Sequence, residues 1–236
     1  MLSAPIGAAA APLAIGIAGH SGRFGRQVLA AAEQRGWTVC WRRNRAGLDA
    51  FAVPAVMLDC SGAEAVPQTL EAALAFGVPL VLATSGARWA GHPLVHAASQ
   101  QIPVVVAANL SRGHQLMMMI ARLIGEQPHA ASHVTVVDRH PATKKDAPSA
   151  TALRLAAACG TDRTIAVRTG PPVADHQVVL AWQGETLEIN HRVTALDAPV
   201  QGALSALERA ARLLGPGLYG LDSPEMTGQQ LMKSLS

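Results

Sequence analysis

An apolar strand that runs directly into a glycine-rich turn and a helix is the feature that most constrains this chain. Residues 13–18 form a short, continuous apolar run that stops at Gly19. Glycine recurs at Gly22 and Gly25, and residues 26–35 then have a helix-forming composition. A short apolar run of this kind is typical of a strand buried on both faces. The pattern therefore predicts a strand, a tight turn and a helix, as at the start of an open α/β sheet.

Further apolar runs alternate with helical segments through the first half of the chain. They predict strands at 37–41, 55–59, 78–83 and 102–107, and helices at 65–76 and 94–100. Buried strands that alternate with helices indicate a doubly wound, mostly parallel sheet of Rossmann-like type.

The pattern changes after Asn109. A predicted helix at 114–124 leads into residues 132–138, where polar and apolar positions alternate. Strands at 164–168, 177–182 and 186–193, a hairpin turn at 183–185, and helices at 149–158 and 200–213 follow. Consecutive strands with few helices between them indicate an α+β region with a mixed or antiparallel sheet. We therefore predict two domains, 1–111 and 112–213, with the segment 214–236 returning to the first.

The charge pattern favours a small anionic ligand over nucleic acid. The net charge is +3, and basic residues cluster only at residues 42–45 and at Lys144 and Lys145. Non-specific DNA binding needs a broad basic face, and single-stranded nucleic acid needs aromatic platforms, whereas aromatics are 3% of this chain. Two small clusters suit a phosphorylated or carboxylated small molecule, or are simply solvated charges.

Cysteine usage and the N-terminus bear on the compartment. Cys40, Cys60 and Cys159 are odd in number and far apart, without the CxxC spacing of a metal or redox site. Residues 1–12 lack a basic n-region, and the apolar run after them is broken by glycine. We therefore expect a cytoplasmic protein with neither a secretion signal nor a membrane span.

The glycine turn lies where a nucleotide-binding turn of such a sheet lies. Its glycines would let the backbone approach a pyrophosphate, and the following helix offers free N–H groups. His20 disturbs the strict GxGxxG spacing, so a plain strand-to-helix turn stays an alternative. The second strand ends at Arg42 and Arg43, with no carboxylate before Asp49. An NAD site normally places an acid there, so the sequence favours NADPH, with NADH possible.

Two pairs of histidines have the spacing of one helix face, His92 with His96 and His129 with His133. Neither pair has a carboxylate or a cysteine at metal-ligand spacing, so we predict no metal site.

Residues 138–152 resemble the signature of the dihydrodipicolinate reductase family. That signature is a glutamate, a variable residue and two histidines, then after a short gap a lysine, one further residue and Asp-Ala-Pro-Ser-Gly-Thr-Ala. Three other segments are similar to family motifs: residues 19–25 to Gly-x-x-Gly-Arg-Met-Gly, 83–86 to Gly-Thr-Thr-Gly, and 108–111 to Ala/Pro-Asn-Phe-Ser. Residues 168–170, 175–176 and 187–191 are similar to the family's substrate-domain strands. The resemblance thus extends over most of the chain.

The resemblance implies a reductase of a cyclic unsaturated dicarboxylate. The family converts 4-hydroxy-tetrahydrodipicolinate to tetrahydrodipicolinate in the diaminopimelate and lysine pathway, using NADPH or NADH, and its members are commonly tetramers built through the substrate-domain sheet. A homo-oligomer, tetramer or dimer, is thus implied. By position, His140 matches the acid or polarising group, Lys144 the proton donor, and Ser149, Ala150 and Thr151 the residues that hold a substrate carboxylate. The implied cofactor-binding positions are Gly19, Ser21, Gly22, Arg23, Phe24, Gly25, Arg42, Arg43, Ala83, Thr84, Ser85, Ala108, Asn109 and Leu110.

Four departures from the signature bear on the substrate. Pro141 replaces the second histidine, Asp138 the glutamate, Thr143 a frequent basic residue, and Ala150 the glycine. A paralogue that reduces another imine or enamine acid therefore stays an alternative. A catalytically silent relative that binds nucleotide is a second one.

Overall fold

The computed structural model describes residues 12–84, 89–127, 132–169 and 174–221. Contacts between residues divide the chain into two units, Met1–Val105 with Leu207–Leu218, and Val106–Ala206 with Tyr219–Ser236. The predicted domain boundary after residue 111, and the predicted return of 214–236 to the first domain, stay predictions. Within the described ranges, no helix combines the length and the apolar character needed to cross a bilayer.

A seven-stranded sheet forms most of the first unit. Its strands are β1 (Ala14–Ala18), β2 (Thr38–Asn44), β3 (Gly47–Ala50), β4 (Val56–Asp59), β5 (Leu80–Leu82), β6 (Pro103–Val106) and β11 (Gly217–Gly220), in the order β11-β6-β5-β4-β1-β2-β3. β1 pairs in parallel with both β2 and β4, β4 is parallel to β5, and β3 is antiparallel to β2. The chain thus leaves β1 on one side and later returns on the other. Ligands of open α/β sheets bind at the carboxyl ends of strands beside such a switch point.

Three helices belong to this sheet: α1 (Arg23–Gln34), α2 (Val66–Phe76) and α3 (Pro93–Ser99). α1 begins directly after Gly22 and buries Gly25, Val28 and Ala32, which recur at helical spacing on one face. All four residues of β4 are buried, as expected for a strand covered on both faces.

A four-stranded mixed sheet forms the framework of the second unit. Its strands are β7 (His133–His140), β8 (Thr164–Arg168), β9 (Ala174–Trp182) and β10 (Glu185–Val193), in the order β10-β9-β7-β8. β7 and β8 are parallel, and β9 is antiparallel to both β7 and β10. The helices in this half of the sequence are α4 (Arg112–Gly125), α5 (Ala150–Ala158) and α6 (Asp197–Ala210).

The period-two alternation of β7 and β9 places polar side chains on the face that carries the core. Val136 and Val178 pack with Met117 of α4 and Leu155 of α5 in one apolar cluster. Asp138 lies two residues after Val136, and His176 pairs with Asp138 in the β7–β9 register. Since alternate residues of a strand share a face, these polar groups extend the core face toward the start of α5. The candidate site of this unit is therefore built on rigid strands.

The predicted fold class is confirmed, whereas two strands were missed. β3 has no alternation and is exposed throughout, so neither burial nor period marks it in the sequence. β11 follows Gly215 and Pro216, which are turn-forming residues and give no strand signal in the sequence. Both are short strands at the two edges of the larger sheet. The last predicted helix, 200–213, begins and ends three residues earlier, as Asp197–Ala210.

Packing around Gly202 in α6 yields a test of stability. A Cβ atom on Gly202 would lie far inside van der Waals distance of the Leu110 carbonyl oxygen, which is backbone and cannot rotate away. Alanine is ordinarily about 1 kcal/mol better than glycine inside a helix. Overpacking costs about 1–3 kcal/mol, so we expect Gly202→Ala to lower the free energy of unfolding.

Chemical denaturation would measure that change against Gly91→Ala. A Cβ atom on Gly91 meets nothing within 4 Å, so this variant should match the wild type. A Gly202→Ala protein as stable as the wild type would contradict the packing described for α6.

Candidate active site

The glycine turn of the first unit exposes backbone N–H groups at the start of α1. Gly19 has a φ of +86°, and its N–H donates to the Arg43 carbonyl oxygen at 2.8 Å. The Gly22 N–H donates to the Gly19 carbonyl oxygen at 3.0 Å. Gly22 is the N-cap of α1 and brings no capping side chain. The first N–H groups of α1 are thus left for an anionic ligand, as in dinucleotide-binding turns.

A cavity of about 560 Å³ opens beside this turn. It is lined by Ala18, Gly19, Ser21, Gly22, Arg43, Asn44, Arg45, Cys60, Ser61, Gly62, Glu64, Ala65 and Gln68. Four predicted cofactor residues, Gly19, Ser21, Gly22 and Arg43, are among them. Burial and the neighbouring Asp59 charge raise the pKa of the Cys60 thiol to about 12, so this cysteine is not a reactive thiolate. The turn, the helix N-terminus and the basic rim fit a nicotinamide dinucleotide.

Adjacent arginines at the end of β2 have different surroundings. Arg43 lines the cavity, whereas Arg42 pairs with Asp49 of β3, with a nitrogen–oxygen distance of 2.7 Å. Neighbouring residues of a strand point to opposite faces, which separates the two side chains. Arg45 also lines the cavity and contacts Glu64 at 3.2 Å.

Of the other predicted cofactor positions in this unit, none that the structure describes is among the lining residues. Arg23 is exposed and Phe24 half-buried on α1, and Ala83 is half-buried. The Thr84 hydroxyl donates to the buried carboxylate of Asp59, so its contact is within the protein. Ser85 lies outside the described residues.

In the second unit, the predicted segment 108–110 leads into α4. Ala108 is exposed and Asn109 half-buried, and both line a small cavity with His114 and Met118. The Asn109 side-chain oxygen accepts from the Ser111 N–H at 3.0 Å. Leu110 is buried, and its carbonyl oxygen accepts from Gln115.

The carboxylate of Asp138 is the centre of the second unit's polar cluster. Asp138 has no exposed surface. One oxygen, Oδ2, accepts from the Ser149 N–H and from Arg168, each at 2.8 Å. The other, Oδ1, accepts from the Ser149 hydroxyl at 3.0 Å. Burial raises the pKa of Asp138, but the hydrogen bonds from Arg168 and Ser149 outweigh it and leave a lowered pKa.

Two histidines approach the same oxygen of Asp138. The Nε2 atom of His140 lies 2.8 Å from Oδ1, although its orientation does not meet hydrogen-bond geometry, and that of His176 lies 3.4 Å away. The two rings meet edge to face, with centroids 5.3 Å apart. Burial lowers the pKa of His176 to about 4, because the attraction of Asp138 does not compensate for lost solvation. The pKa of His140 is lowered by burial, with further contributions from Lys144 and Arg168.

Lys144 lies on the turn between β7 and α5 and is held by an acidic neighbour. Its Nζ atom lies 2.7 Å from Oδ1 of Asp146, and this contact is the main cause of the lowered pKa of Asp146. Arg168 contacts the Asp146 carbonyl oxygen as well as Asp138. The loop that carries Lys144 is therefore fixed to β8 through one guanidinium.

Ser149, Ala150 and Thr151 form the start of α5, as predicted, but they differ in availability. The Ser149 hydroxyl donates to Asp138 and accepts from the Ala152 N–H at 3.2 Å, so it acts within the protein as an N-cap. Ala150 is exposed and Thr151 half-buried. Their N–H groups belong to the first helical turn, which has no intrahelical acceptors for them. The N–H groups of Ala150 and Thr151 are therefore the groups at the start of α5 that could bind a carboxylate.

Asp138, His140 and His176 bring three potential ligand atoms within 4.8 Å of one another. The Arg168 guanidinium already neutralises the Asp138 carboxylate, and Lys144 adds a second cation close by. A divalent cation would be repelled by both, so we assign no metal to this cluster. His129, of the predicted non-metal pair, lies outside the described residues.

The sequence analysis predicted no catalytic or binding role for three residues of this cluster, Asp138, Arg168 and His176, although it noted Asp138 as a departure from the signature. All three fall in segments that resemble family strands or the family signature. What their sequence positions could not show is that they meet at one carboxylate.

Two family profiles match the chain. The profile described as "Dihydrodipicolinate reductase, N-terminus" matches residues 13–110, and that described as "Dihydrodipicolinate reductase, C-terminus" matches residues 113–223. A curated 4-hydroxy-tetrahydrodipicolinate reductase from Thiobacillus denitrificans is 32% identical over 260 residues, covering 88% of this chain and 96% of that protein. One from Zymomonas mobilis is 29% identical over 226 residues, covering 81% and 89%.

Solved structures show a similar fold. A dipicolinate-bound dihydrodipicolinate reductase from Paenisporosarcina sp. TG-14 has a TM-score of 0.69 at 17% identity, covering 89% of this chain and 98% of that chain. An aspartate dehydrogenase from Thermotoga maritima has a TM-score of 0.52 at 13% identity, covering 83% and 95%. At such identities the likeness concerns the fold alone.

The close packing of α1 against the glycine turn yields a test of stability that needs no ligand. A Cβ atom on Gly25 would collide with the carbonyl group of Gly19, which is backbone, whereas one on Gly22 would lie 3.3 Å from that oxygen. We therefore expect Gly25→Ala to lower the free energy of unfolding by about 1–3 kcal/mol without any ligand. Gly22→Ala should lower it by less than about 1 kcal/mol.

Denaturant unfolding of the two ligand-free variants would measure the difference. Equal stabilities would show that the turn relaxes around Gly25 at little cost.

Proposed function

The chain belongs to the dihydrodipicolinate reductase family and is an oxidoreductase, and on that premise we propose that it converts 4-hydroxy-tetrahydrodipicolinate to tetrahydrodipicolinate. In the balanced reaction, the substrate, NADPH and one proton give tetrahydrodipicolinate, NADP⁺ and water. By its family the reaction serves diaminopimelate and lysine biosynthesis. The bound cofactor supplies the hydride, and the chain's own residues bind, orient and protonate.

The single observation that carries the proposal is the set of contacts to Asp138. One buried carboxylate joins His140, the start of α5 at Ser149, and Arg168. The signature segment has the proposed acid, His140, at one end and the carboxylate-binding N–H groups of α5 at the other. Asp138 holds the two ends close together. A segment with a purely structural role would not require a buried charge, which is costly unless paired.

The second unit's residues have distinct roles in this proposal. The N–H groups of Ala150 and Thr151 bind one substrate carboxylate, aided by the positive end of α5. Ser149 fixes the start of α5 through Asp138. Lys144 exchanges its contact with Asp146 for the substrate and stabilises developing negative charge, and His140 polarises or protonates the ring.

The first unit binds the cofactor in this proposal. The N–H groups at the start of α1 bind the pyrophosphate, with Gly19, Ser21 and Gly22 forming the turn. Arg43 binds the 2′-phosphate of NADPH, because it lines the cavity while Arg42 is engaged by Asp49. The other proposed cofactor positions of this unit are Arg23, Phe24, Gly25, Ala83, Thr84 and Ser85, and those proposed in the second unit are Ala108, Asn109 and Leu110.

Assembly and compartment belong to the same proposal. We propose a homo-oligomer, a tetramer as in the family, formed through the four-stranded sheet, on which Ile165 is 54% exposed. Cys40, Cys60 and Cys159 are free thiols, in keeping with a cytoplasmic protein.

One observation favours a second candidate substrate. The methyl group of exposed Ala150 occupies the position where the family signature has glycine, at the start of α5. A related cyclic imine acid that is less bulky near its carboxylate would be accepted there.

Cofactor preference is tested by separating the two arginines. We expect Arg43→Ala to weaken NADPH binding by about 10- to 100-fold, since a hydrogen bond to a charged group contributes about 1.5–3 kcal/mol. NADH binding should change little. Arg42→Ala is the matched control, because that side chain is paired with Asp49.

Fluorescence titration with each reduced cofactor gives the four dissociation constants. Equal losses for NADPH and NADH, or a larger loss in Arg42→Ala, would contradict the assignment of Arg43.

The reaction is tested with NADPH and enzymatically generated substrate. We expect loss of nicotinamide absorbance that depends on substrate, and Lys144→Ala should lower kcat by about 10²- to 10⁴-fold, the scale of a lost acid or charge-stabilising group. Lys145→Ala is the control on the neighbouring residue and should change little. NADPH affinity should be the same in both variants.

Three outcomes would contradict the assignments. If the wild-type protein binds NADPH but none of the imine acids tested causes its oxidation, the protein would be the catalytically silent relative. Near-normal kcat in Lys144→Ala would remove the role of Lys144. A loss in Lys145→Ala instead would shift the motif by one residue.

A further inference from the structure

We propose that binding of the dianionic substrate is coupled to uptake of one proton from solvent at His140, and that His176 is the positioning residue that keeps His140 unprotonated until then. The inference rests on the proposed function, because it assumes a dicarboxylate site in the second unit.

The first step is geometric. The Nε2 atoms of His140 and His176 lie 2.8 and 3.4 Å from the same oxygen of Asp138. The Ser149 hydroxyl donates to that oxygen at 3.0 Å and lies 3.4 Å from Nε2 of His176. One carboxylate oxygen thus accepts from the Ser149 hydroxyl and has two imidazole nitrogens close to it. Every hydrogen bond that His176 or Ser149 gives to it reduces what Asp138 offers to a protonated His140.

The second step is a count of charge. Arg168 pairs with Asp138, and Lys144 pairs with Asp146. With both histidines neutral, these four groups sum to zero. A substrate with two carboxylates therefore brings two negative charges to four groups whose own charges cancel.

The third step concerns the groups that surround His140 and His176. They are Asp138 on β7, Lys144 and Asp146 on the loop, Arg168 on β8, Asp175 on β9, and the rings of His191 on β10 and His114 on α4. Of these side-chain types, only histidine ordinarily titrates near neutral pH. A proton taken up near pH 7.5 must therefore go to an imidazole.

His140 is the better placed of the two rings beside Asp138. Its side chain is 11% exposed, against 3% for His176, so solvent can reach it more easily. The buried Nδ1 atom of His176 has no hydrogen-bond partner among the described residues, so a second proton on that ring would be a buried donor without an acceptor. Nε2 of His140 also has no hydrogen bond there, but it lies 2.8 Å from a carboxylate oxygen that can accept its proton. His176 therefore stays neutral while His140 takes the proton.

The direction of the coupling follows from these positions. Burial lowers the pKa of His140, which leaves it neutral in the ligand-free protein. A negative charge within about 4–6 Å raises a histidine pKa by about 1–3 units, so the bound dianion favours the protonated ring. Affinity for the dianion should accordingly fall as pH rises, by up to about tenfold per unit when one proton is taken up.

The experiment is calorimetric titration of dipicolinate, a ring dicarboxylate, into the NADPH-saturated protein at pH 7.5. Buffers of different ionisation enthalpy give the number of protons taken up, which we expect to be about one. In His140→Gln, dipicolinate should still bind but with uptake near zero. His133→Gln, on the same strand but exposed, is the matched control and should behave as the wild type.

His176 has its own readout. His176→Phe removes the imidazole nitrogen that lies 3.4 Å from Oδ1 of Asp138, so His140 should hold its proton before the ligand arrives, and uptake at pH 7.5 should fall. The pH at which dipicolinate affinity declines should rise. His176→Gln restores a donor and should return both values toward the wild type, which a purely structural role would not predict.

Failure of this inference is distinguishable from failure of the proposed function. Dipicolinate binding to the wild type with no dependence on buffer would overturn the inference and leave the reductase intact. Unchanged uptake in His140→Gln would also overturn it. Absence of any dipicolinate binding would overturn both the dicarboxylate site and the inference that rests on it.

Discussion

The buried carboxylate of Asp138 is the constraint on which the candidate site depends. It has no exposed surface and is held by Arg168 and by the N–H and hydroxyl of Ser149. Leaving such a charge without its partner costs about 3–5 kcal/mol, so the loss of one contact would destabilise the whole cluster. Through them, β7, β8 and the start of α5 become a single rigid unit. The loop between β7 and α5 is thereby held at both ends.

That arrangement explains how a loop between two elements can keep its side chains in defined positions. Lys144 lies on the loop, yet Arg168 contacts the Asp146 carbonyl oxygen and Lys144 contacts the Asp146 side chain. The side chains therefore have few alternative positions to lose when a ligand binds, which limits the entropic cost of binding. The same contacts pair Lys144 and Arg168 with acidic groups, so the proposed anionic substrate would be met by helix dipoles and by ionisable rings.

In the first unit, backbone geometry has the corresponding role. Gly19 occupies a positive φ, and Gly25 allows α1 to approach the turn so closely that no Cβ atom would fit. These are constraints of space that glycine spacing in the sequence can indicate. The glycine spacing does not indicate that Arg42 is paired while Arg43 lines the cavity. That difference depends on β3, an exposed strand that the sequence did not predict.

The sequence by itself determined the alternation of buried strands and helices, the glycine turn, the later mixed sheet and the signature segment, because burial and backbone conformation leave local patterns in residue type. Only the tertiary structure decided which groups share a charge. Asp138 lies far from Arg168 and His176 along the chain, and strand register brings the three together. It also decided that the Ser149 hydroxyl contacts Asp138 and caps α5. Such contacts depend on which strands pair and in what register, and no local pattern of residues records that.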